Sequence, residues 1–389
     1  MIQKISEGKC TFKASLGKVS KDLEVFYNPK MRFNRDMSIA LINTYFTKDQ
    51  KRKMLKIGLP LAGSGIRGLR ILKECAVTSV YFNDISANAV RTIKKNTRFQ
   101  KKAFVCQEKA QVFLQKKGPF DYIDIDPFGS SISFIDSAIP NLRNNGILAI
   151  TNTDTAALCG SYPDVTKRRY TANPFNYEIR QEFGLRILIR KVQEIGCMYD
   201  CALVPIFSYS KEHYMRVFFK KVLSKELCKT ILSQHNYYYA DAARILHRFS
   251  YSKESFNALS KVNHNNKKMP DVTVFGPVYD GPICDASLTK KVVVYSKNHF
   301  DHVDSEEKRF LEILEKESAL DFPFFYDPHE ICKMLKIEVP SNKKMYAELE
   351  KKGFMYEKTH FLKTGIKTNA DAQSFIAMLR LLYDQDTSA

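Results

Sequence analysis

The chain has 389 residues, 44% of them hydrophobic. That is enough for two or more domains with cores of their own, and no apolar run is long enough to span a membrane. Lys and Arg number 61 against 42 Asp and Glu, a formal charge of +19, which favours a polyanionic partner, most often nucleic acid, over the plainer alternative of a solvated Lys-rich surface. Nine cysteines, an odd number without a C-x-x-C pair, argue against a disulfide framework and a zinc ribbon; with no apolar leader at residues 1–16, the chain reads as soluble, unsecreted and cytoplasmic.

In chain order, residues 1–25 read as short extended segments with turns. A helix is predicted from Asp36 or Ser38 through Ile39, Leu41 and Ile42. Residues 54–62 read as a buried strand that ends at Gly63-Ser64-Gly65-Ile66-Arg67-Gly68 and opens a helix through Leu69, Ile71 and Leu72. Further strands are predicted from Val77 to Phe82, Ala103 to Cys106, Phe120 to Ile125 and Gly146 to Thr151. Helices are predicted from Ser86 to Asn96, Gln111 to Lys116 and Ile135 to Leu142. Strands alternating with helices imply an α/β fold with a parallel, doubly wound sheet. Gly184 to Glu194 has helical apolar spacing. Cys201 to Ser208 and His213 to Lys221 read as two strands joined by Tyr209-Ser210-Lys211-Glu212, an antiparallel pair. A parallel sheet closed by such a pair is the class I, Rossmann-like methyltransferase pattern, so residues 1–223 are expected to form the catalytic domain.

Residues 224–389 are expected to form a smaller α+β domain. Tyr239 to His247 reads as a helix, Val262 to Asp271 as a polar loop and Asp280-Gly281-Pro282 as a turn. Helices are predicted over Glu306 to Lys316, Pro328 to Leu335 and Lys343 to Lys352, the last opened by Ser341. A short hairpin is predicted from Phe354 to Leu362. Helix, helix, hairpin is compatible with a winged-helix-like element.

The chemistry sits at two places. Gly63, Gly65 and Gly68 fit G-x-G-x-x-G between a strand and a helix, where glycines permit a tight turn and close ligand approach. Asp84 ends the next strand, where a carboxylate binds ribose hydroxyls. This pattern alone does not separate a nicotinamide nucleotide from S-adenosylmethionine. Asp124-Ile125-Asp126-Pro127-Phe128-Gly129, at the end of the fourth predicted strand, separates them. A carboxylate accepts N–H bonds, Pro127 removes a donor and stiffens the turn, and an aromatic ring stacks on a planar base. This is equipment for holding an amine-bearing base, which a dehydrogenase does not need. The alternative for Asp126-Pro127 is a plain turn with an aromatic packed behind it.

Several segments together carry a family resemblance. Glu7-Gly8-Lys9, Val25-Phe26-Tyr27-Asn28-Pro29, Phe33-Asn34-Arg35-Asp36, Ser64-Gly65-Ile66-Arg67-Gly68, Asn83-Asp84-Ile85 and the Asp124–Ser130 run occur in one order. Thr153-Asp154-Thr155-Ala156, Arg168-Arg169-Tyr170, Glu182-Phe183-Gly184-Leu185-Arg186, His213-Tyr214-Met215-Arg216-Val217 and Gly276-Pro277 follow them. Over roughly residues 5–285 the chain resembles the tRNA (guanine(26)-N(2))-dimethyltransferase family, closer to its archaeal branch. The resemblance implies S-adenosylmethionine as cofactor and tRNA as partner, with no membrane and no inferable protein partner. It implies that Arg35, Gly63, Gly65, Arg67, Asp84, Ile85, Glu108 and Ala110 hold the cofactor. It also implies that Asp126, with Pro127, holds and deprotonates the guanine amine, and that Phe26 and Phe128 sandwich the base. Two departures stand out. Lys109 occupies the place before Ala110 where the family often has an acid, the acid here being Glu108. No cysteine falls within 235–275, so no zinc site is carried over.

His213 reads as fixing its hairpin rather than acting as a base. Tyr237-Tyr238-Tyr239 could stack on RNA or form an aromatic core, and Lys167-Arg168-Arg169-Tyr170 could contact phosphate or be a solvated charge run. Asp154 either lines the pocket or caps a helix. The alternative functions are an RNA-binding protein with a catalytically silent methyltransferase fold, and an N-methyltransferase of another RNA or of DNA.

Overall fold

The structure, a computed structural model, describes residues 2–15, 27–46, 54–240, 246–249 and 273–387. Within these the chain forms two compact units. The first comprises residues 1–154, 192–228 and 284–315, and the second comprises 155–191, 229–283 and 316–389. The chain therefore leaves the first unit and returns to it twice, instead of dividing at one boundary near residue 223.

The first unit opens with a hairpin, β1 (Ile2–Glu7) and β2 (Cys10–Ser15). Its centre is a seven-stranded sheet of β3 (Lys56–Leu59), β4 (Ser79–Asn83), β5 (Ala103–Cys106), β6 (Phe120–Ile125), β7 (Leu142–Asn152), β8 (Cys201–Lys211) and β9 (Tyr214–Leu223). The order is β5-β4-β3-β6-β7-β9-β8, parallel from β5 to β7 and antiparallel at β9 and β8. This is the α/β arrangement expected from the strand–helix alternation. The order reverses at β3, so the carboxyl ends of β3, β4 and β6 open on one crevice. Every residue of β6 is buried, as a central parallel strand covered on both faces requires. Its two aspartates are accordingly paired: Asp121 accepts from the Lys56 backbone at 2.9 Å and from Arg143 at 2.7 Å, and Asp124 is held by Arg216.

In the second unit, β10 (His235–Ala240) pairs with β11 (Leu246–Phe249) and with β12 (Val274–Tyr279). The helices Pro328–Leu335, Asn342–Lys351 and Ala372–Thr387 surround Cys332, Met345, Leu349, Phe375 and Met378. A hairpin of β13 (Tyr356–Lys358) and β14 (Ile366–Thr368) closes this cluster, and Tyr326 bridges to Ile366. The predicted order of helices and hairpin is present, with Ser341 capping its helix through the Lys344 N–H, but the hairpin expected to end at Leu362 returns only at Ile366–Thr368. Beneath it lies a buried ionic cluster. Lys367 reaches Glu182 at 3.1 Å and Glu317 at 3.2 Å, Arg186 pairs with Glu182, and the His360 ring meets Glu317 at 2.6 Å.

Three expectations are corrected. The segment predicted as a helix from Tyr239 to His247 is strand at both described ends, β10 and β11. Its Tyr239, Ala242 and Leu246 spacing imitates a helical face, but pairing with the sequence-distant β12 decides the conformation. The β8–β9 turn lies at Glu212 and His213, with Glu212 in the left-handed region, because β8 runs on through Tyr209, Ser210 and Lys211, each paired with β9. The strand read as Gly146 to Thr151 begins at Leu142, where the predicted helix was to end. The helices Ala286–His299 and Ala372–Thr387 were not predicted. The predicted loop over 262–271 lies outside the described residues. No helix among the described residues is long and apolar enough to cross a membrane.

Candidate active site

The glycine loop follows β3 directly. Gly63 and Gly65 have φ of 53° and 78°, the left-handed region that side chains disfavour. The Gly65 N–H closes a turn on the Ala62 carbonyl at 2.8 Å and begins the helix Ile66–Glu74. Gly68 serves a different end. A Cβ there would stand 2.2 Å from the Phe82 ring and 2.6 Å from Leu59, so its absence lets the helix lie close on the sheet.

Asp84 follows β4 and is half-buried. One carboxylate oxygen accepts the Gly63 N–H at 2.8 Å, the other the Ser86 N–H at 2.9 Å. It thus ties the loop to the start of the helix Ala87–Thr97. The buried Asn83 beside it donates to the carbonyls of Pro60 and Glu108, and its Oδ1 accepts the Glu108 N–H at 3.0 Å. In this way one amide side chain fixes the loops after β3 and β5 together. Ile85 is exposed, Glu108 pairs with Lys116 at 2.8 Å, and Ala110 is buried at the head of its helix. Left-handed glycines, a carboxylate at the second strand's end and a helix N-terminus together form a nucleotide-type cradle.

Asp126 follows β6 with its side chain 24% exposed, the most open carboxylate of the local charge network. Its Oδ2 accepts from Arg67 Nη2. Phe128 is 46% exposed, a large accessible ring beside it. The turn between them is braced from the loop after β7. Gly129 N–H donates to Thr153 Oγ1 at 2.7 Å, and Thr153 N–H donates to the Gly129 carbonyl at 3.1 Å.

Arg67 also donates to Asn34 at 2.8 Å and to Ser38 at 2.7 Å, both on the helix Arg32–Tyr45. Behind it Arg216, fully buried, grips Asp124 through both Nη atoms at 2.9 and 2.7 Å. Burial would push Asp124 up, but Arg216 and then Arg67 more than offset it and hold the carboxyl below its ordinary value. Arg35 is turned to Glu7, which it binds through Nε at 2.7 Å and Nη2 at 2.5 Å. Burial acts on Glu7 in the same way, and Arg35 and Arg70 hold it down. The Tyr27 hydroxyl donates to Glu7, and burial with this neighbour pushes the phenol up to about 12.

Gly63, Gly65, Asp84, Ile85, Glu108 and Ala110 therefore cluster around the carboxyl ends of β3, β4 and β5. Asp126, Pro127 and Phe128 follow β6, with Arg67 between Asp126 and Asp124. Arg35 stands one layer back, on Glu7 of the first hairpin. Phe26 lies outside the described residues. Sequence reading did not single out Asn34, Ser38, Asn83 or Arg216 as functional. For Asn34, Asn83 and Arg216 the available signal was their presence in a motif already noted, such as Asn83 before Asp84; Ser38 was noted only as a possible helix start.

Comparison with known proteins places the chain in a family. Residues 3–380 match the family model of N2,N2-dimethylguanosine tRNA methyltransferases. The tRNA (guanine(26)-N(2)/guanine(27)-N(2))-dimethyltransferase of Aquifex aeolicus is 33% identical, over 90% of this chain and 88% of that protein. The tRNA (guanine(26)-N(2))-dimethyltransferase of Pyrococcus abyssi is 32% identical, over 96% and 98%. The structure of Trm1 from Pyrococcus horikoshii with S-adenosyl-L-methionine superposes with a TM-score of 0.83 at 29% identity, covering 97% of this chain and 99% of that one. The chain belongs to the N2,N2-dimethylguanosine tRNA methyltransferase family.

Proposed function

We propose that this protein transfers methyl groups from S-adenosylmethionine to the exocyclic N2 of guanine 26 in tRNA, acting in the cytoplasm on that substrate. The observation that carries the reading is the pairing of a nucleotide-type glycine loop with a half-open Asp126 and an exposed Phe128 at the neighbouring strand end.

Bound S-adenosylmethionine supplies an electrophilic methyl group on a sulfonium. The guanine N2 lone pair is delocalised into the ring, so the protein's task is to orient it and to offset the charge that develops on nitrogen. Asp126 does both. Its Oδ2 is taken by Arg67, which leaves Oδ1 to accept an N2–H. As the N–C bond forms and the C–S bond breaks, that proton leaves through Asp126 to solvent. Phe128 stacks on a base flipped out of its helix, with Phe26 as the second wall, and Pro127 keeps the turn rigid. Asp84 takes the ribose hydroxyls; Gly63, Gly65, Arg67, Ile85, Glu108 and Ala110 complete the cofactor's surroundings, and Arg35, bound to Glu7, backs them from one layer behind. After one transfer the nitrogen keeps one hydrogen. A second transfer needs rotation about C2–N2 so that this hydrogen meets Asp126. The exposed Lys-rich helices of the second unit supply tRNA phosphate contacts.

The test is methylation of a tRNA transcript carrying guanine 26, read by mass spectrometry of its nucleosides. Dimethylguanosine should form, and should vanish when adenine replaces guanine 26. Absence of methylated guanine, or its persistence in the adenine-26 transcript, overturns the reading.

A further inference from the structure

Behind Asp126 lies a set of buried charges that methyl transfer does not touch directly. Arg216 is fully buried and holds Asp124 with both arms of its fork. Tyr122 donates at 2.6 Å to Asp124 Oδ2, the oxygen that Arg216 Nη2 also holds. Arg67 stands 3.5 Å from that oxygen and donates to Asp126. Ser38 Oγ accepts from both arginines, at 2.7 Å from Arg67 and 2.8 Å from Arg216. Thr151 Oγ1 accepts from Arg216 at 2.8 Å and from Asn34 at 3.2 Å, and Asn34 in turn accepts from Arg67.

Two cations and two anions balance here, and removing one member leaves a buried charge seeking a partner. Arg67 is the shared member, since it lies between the closed carboxylate, 1% exposed, and the open one, 24% exposed. With Arg216 in place, Asp124 is satisfied and Arg67 can hold Asp126. Without it, Asp124 draws Arg67 inward.

We infer that Arg216 is a positioning residue for methyl transfer: by saturating Asp124 it keeps Arg67 on Asp126 and so fixes the angle of the carboxylate that meets the guanine amine. This rests on the role proposed for Asp126.

The test is a charge-balance cycle. Arg216→Met should lower kcat by about 100-fold, the cost of an ångström-scale misplacement, with the KM for tRNA little changed. Asp124→Asn combined with Arg216→Met removes both charges, returns Arg67 to Asp126 and should bring kcat back to within about tenfold of wild type. A merely structural pair would give a double variant no better than the single. Ser38→Ala, a milder change, should lower kcat by about tenfold because two guanidinium N–H groups lose their shared acceptor. Thermal melting accompanies each variant. A double variant that melts as wild type yet turns over no faster than Arg216→Met overturns the inference. If Arg216→Met does not fold, wild-type kcat in Ser38→Ala overturns it. Asp126→Asn is assayed alongside. Retained turnover there sinks the role of Asp126, whereas an inactive Asp126→Asn together with no rescue sinks only the role of Arg216.

Discussion

The carboxylate of Asp84 accepts the backbone N–H of Gly63 at 2.8 Å. A residue expected to bind ribose therefore also holds the glycine loop that would receive the rest of the cofactor. Its other oxygen caps the turn at Ser86, so a single side chain joins the ends of β3 and β4.

Asp84→Ala should weaken S-adenosylmethionine binding by about 1.5–3 kcal/mol, the loss expected for a charged hydrogen-bond acceptor. Calorimetry on the purified protein measures it, and unchanged affinity would mean that the ribose lies elsewhere.

Asp126→Ala should reduce turnover by at least about 100-fold, or roughly 2.7 kcal/mol of transition-state stabilisation. Cofactor affinity should stay within a few fold, because the role proposed for this carboxylate is toward the amine rather than the sulfonium. A variant keeping more than about a tenth of wild-type turnover, a loss under ~1.4 kcal/mol, would contradict the assigned role.

Gly68→Ala should destabilise the first unit by about 1–3 kcal/mol through overpacking, since the added carbon would meet Phe82 at 2.2 Å and Leu59 at 2.6 Å. Denaturant melts read this directly; a wild-type midpoint would show that the helix can shift away from the sheet without penalty.

Stability should fall with acid. Glu7, Asp124, Glu182 and Glu317 are all held below their ordinary values, by Arg35 and Arg70, by Arg216 and Arg67, by Lys367 and Arg186, and by His360 and Lys367 respectively, each against burial. The unfolded chain binds protons on these groups at a higher pH than the folded chain does. Their contribution is therefore complete above the unfolded values of 4.5 for Glu and 3.8 for Asp, and is lost as pH drops through the lower folded ones. Melting temperature measured from pH 7 downward should hold until about pH 5 and then decline steeply. Glu317→Gln should blunt the decline for the second unit, although it lowers stability at neutral pH by removing the carboxylate from His360 and leaving Lys367 with Glu182 alone. A flat profile to about pH 3 would refute the linkage.

Binding to tRNA should weaken with salt at a slope of about −3 or steeper in log K against log salt, as several phosphates displace counterions. A cut at residue 223 would remove 284–315 from the first unit, so substitution is the cleaner probe. Changing the exposed Lys333, Lys336, Lys343, Lys344, Lys351 and Lys352 to Gln should make the slope shallower by roughly 0.7–0.9 for each phosphate that is no longer neutralised. An unchanged slope would assign these lysines to plain solvated surface.

The sequence by itself determined the parts governed by local rules. Alternating strands and helices specified the parallel sheet. Glycine spacing marked the turn after β3. Asp84 and Asp126-Pro127-Phe128 were legible because each is the residue that leaves a buried strand, where the chain must turn and meets solvent. Ser341 was legible because an N-cap is a local hydrogen bond. Tertiary structure alone decided what depends on distant partners. β10 is a strand because β12 pairs with it, despite a helical apolar spacing. The helix Ala286–His299 packs in the first unit, far along the chain from the sheet it joins. Arg67 faces Asp126, and Arg35 faces Glu7, because a buried guanidinium must find a carboxylate wherever the fold brings one. Periodicity and motif spacing act over a few residues, whereas charge pairing in a core is settled by three-dimensional proximity, and Arg216 reaches Asp124 across 92 positions of chain.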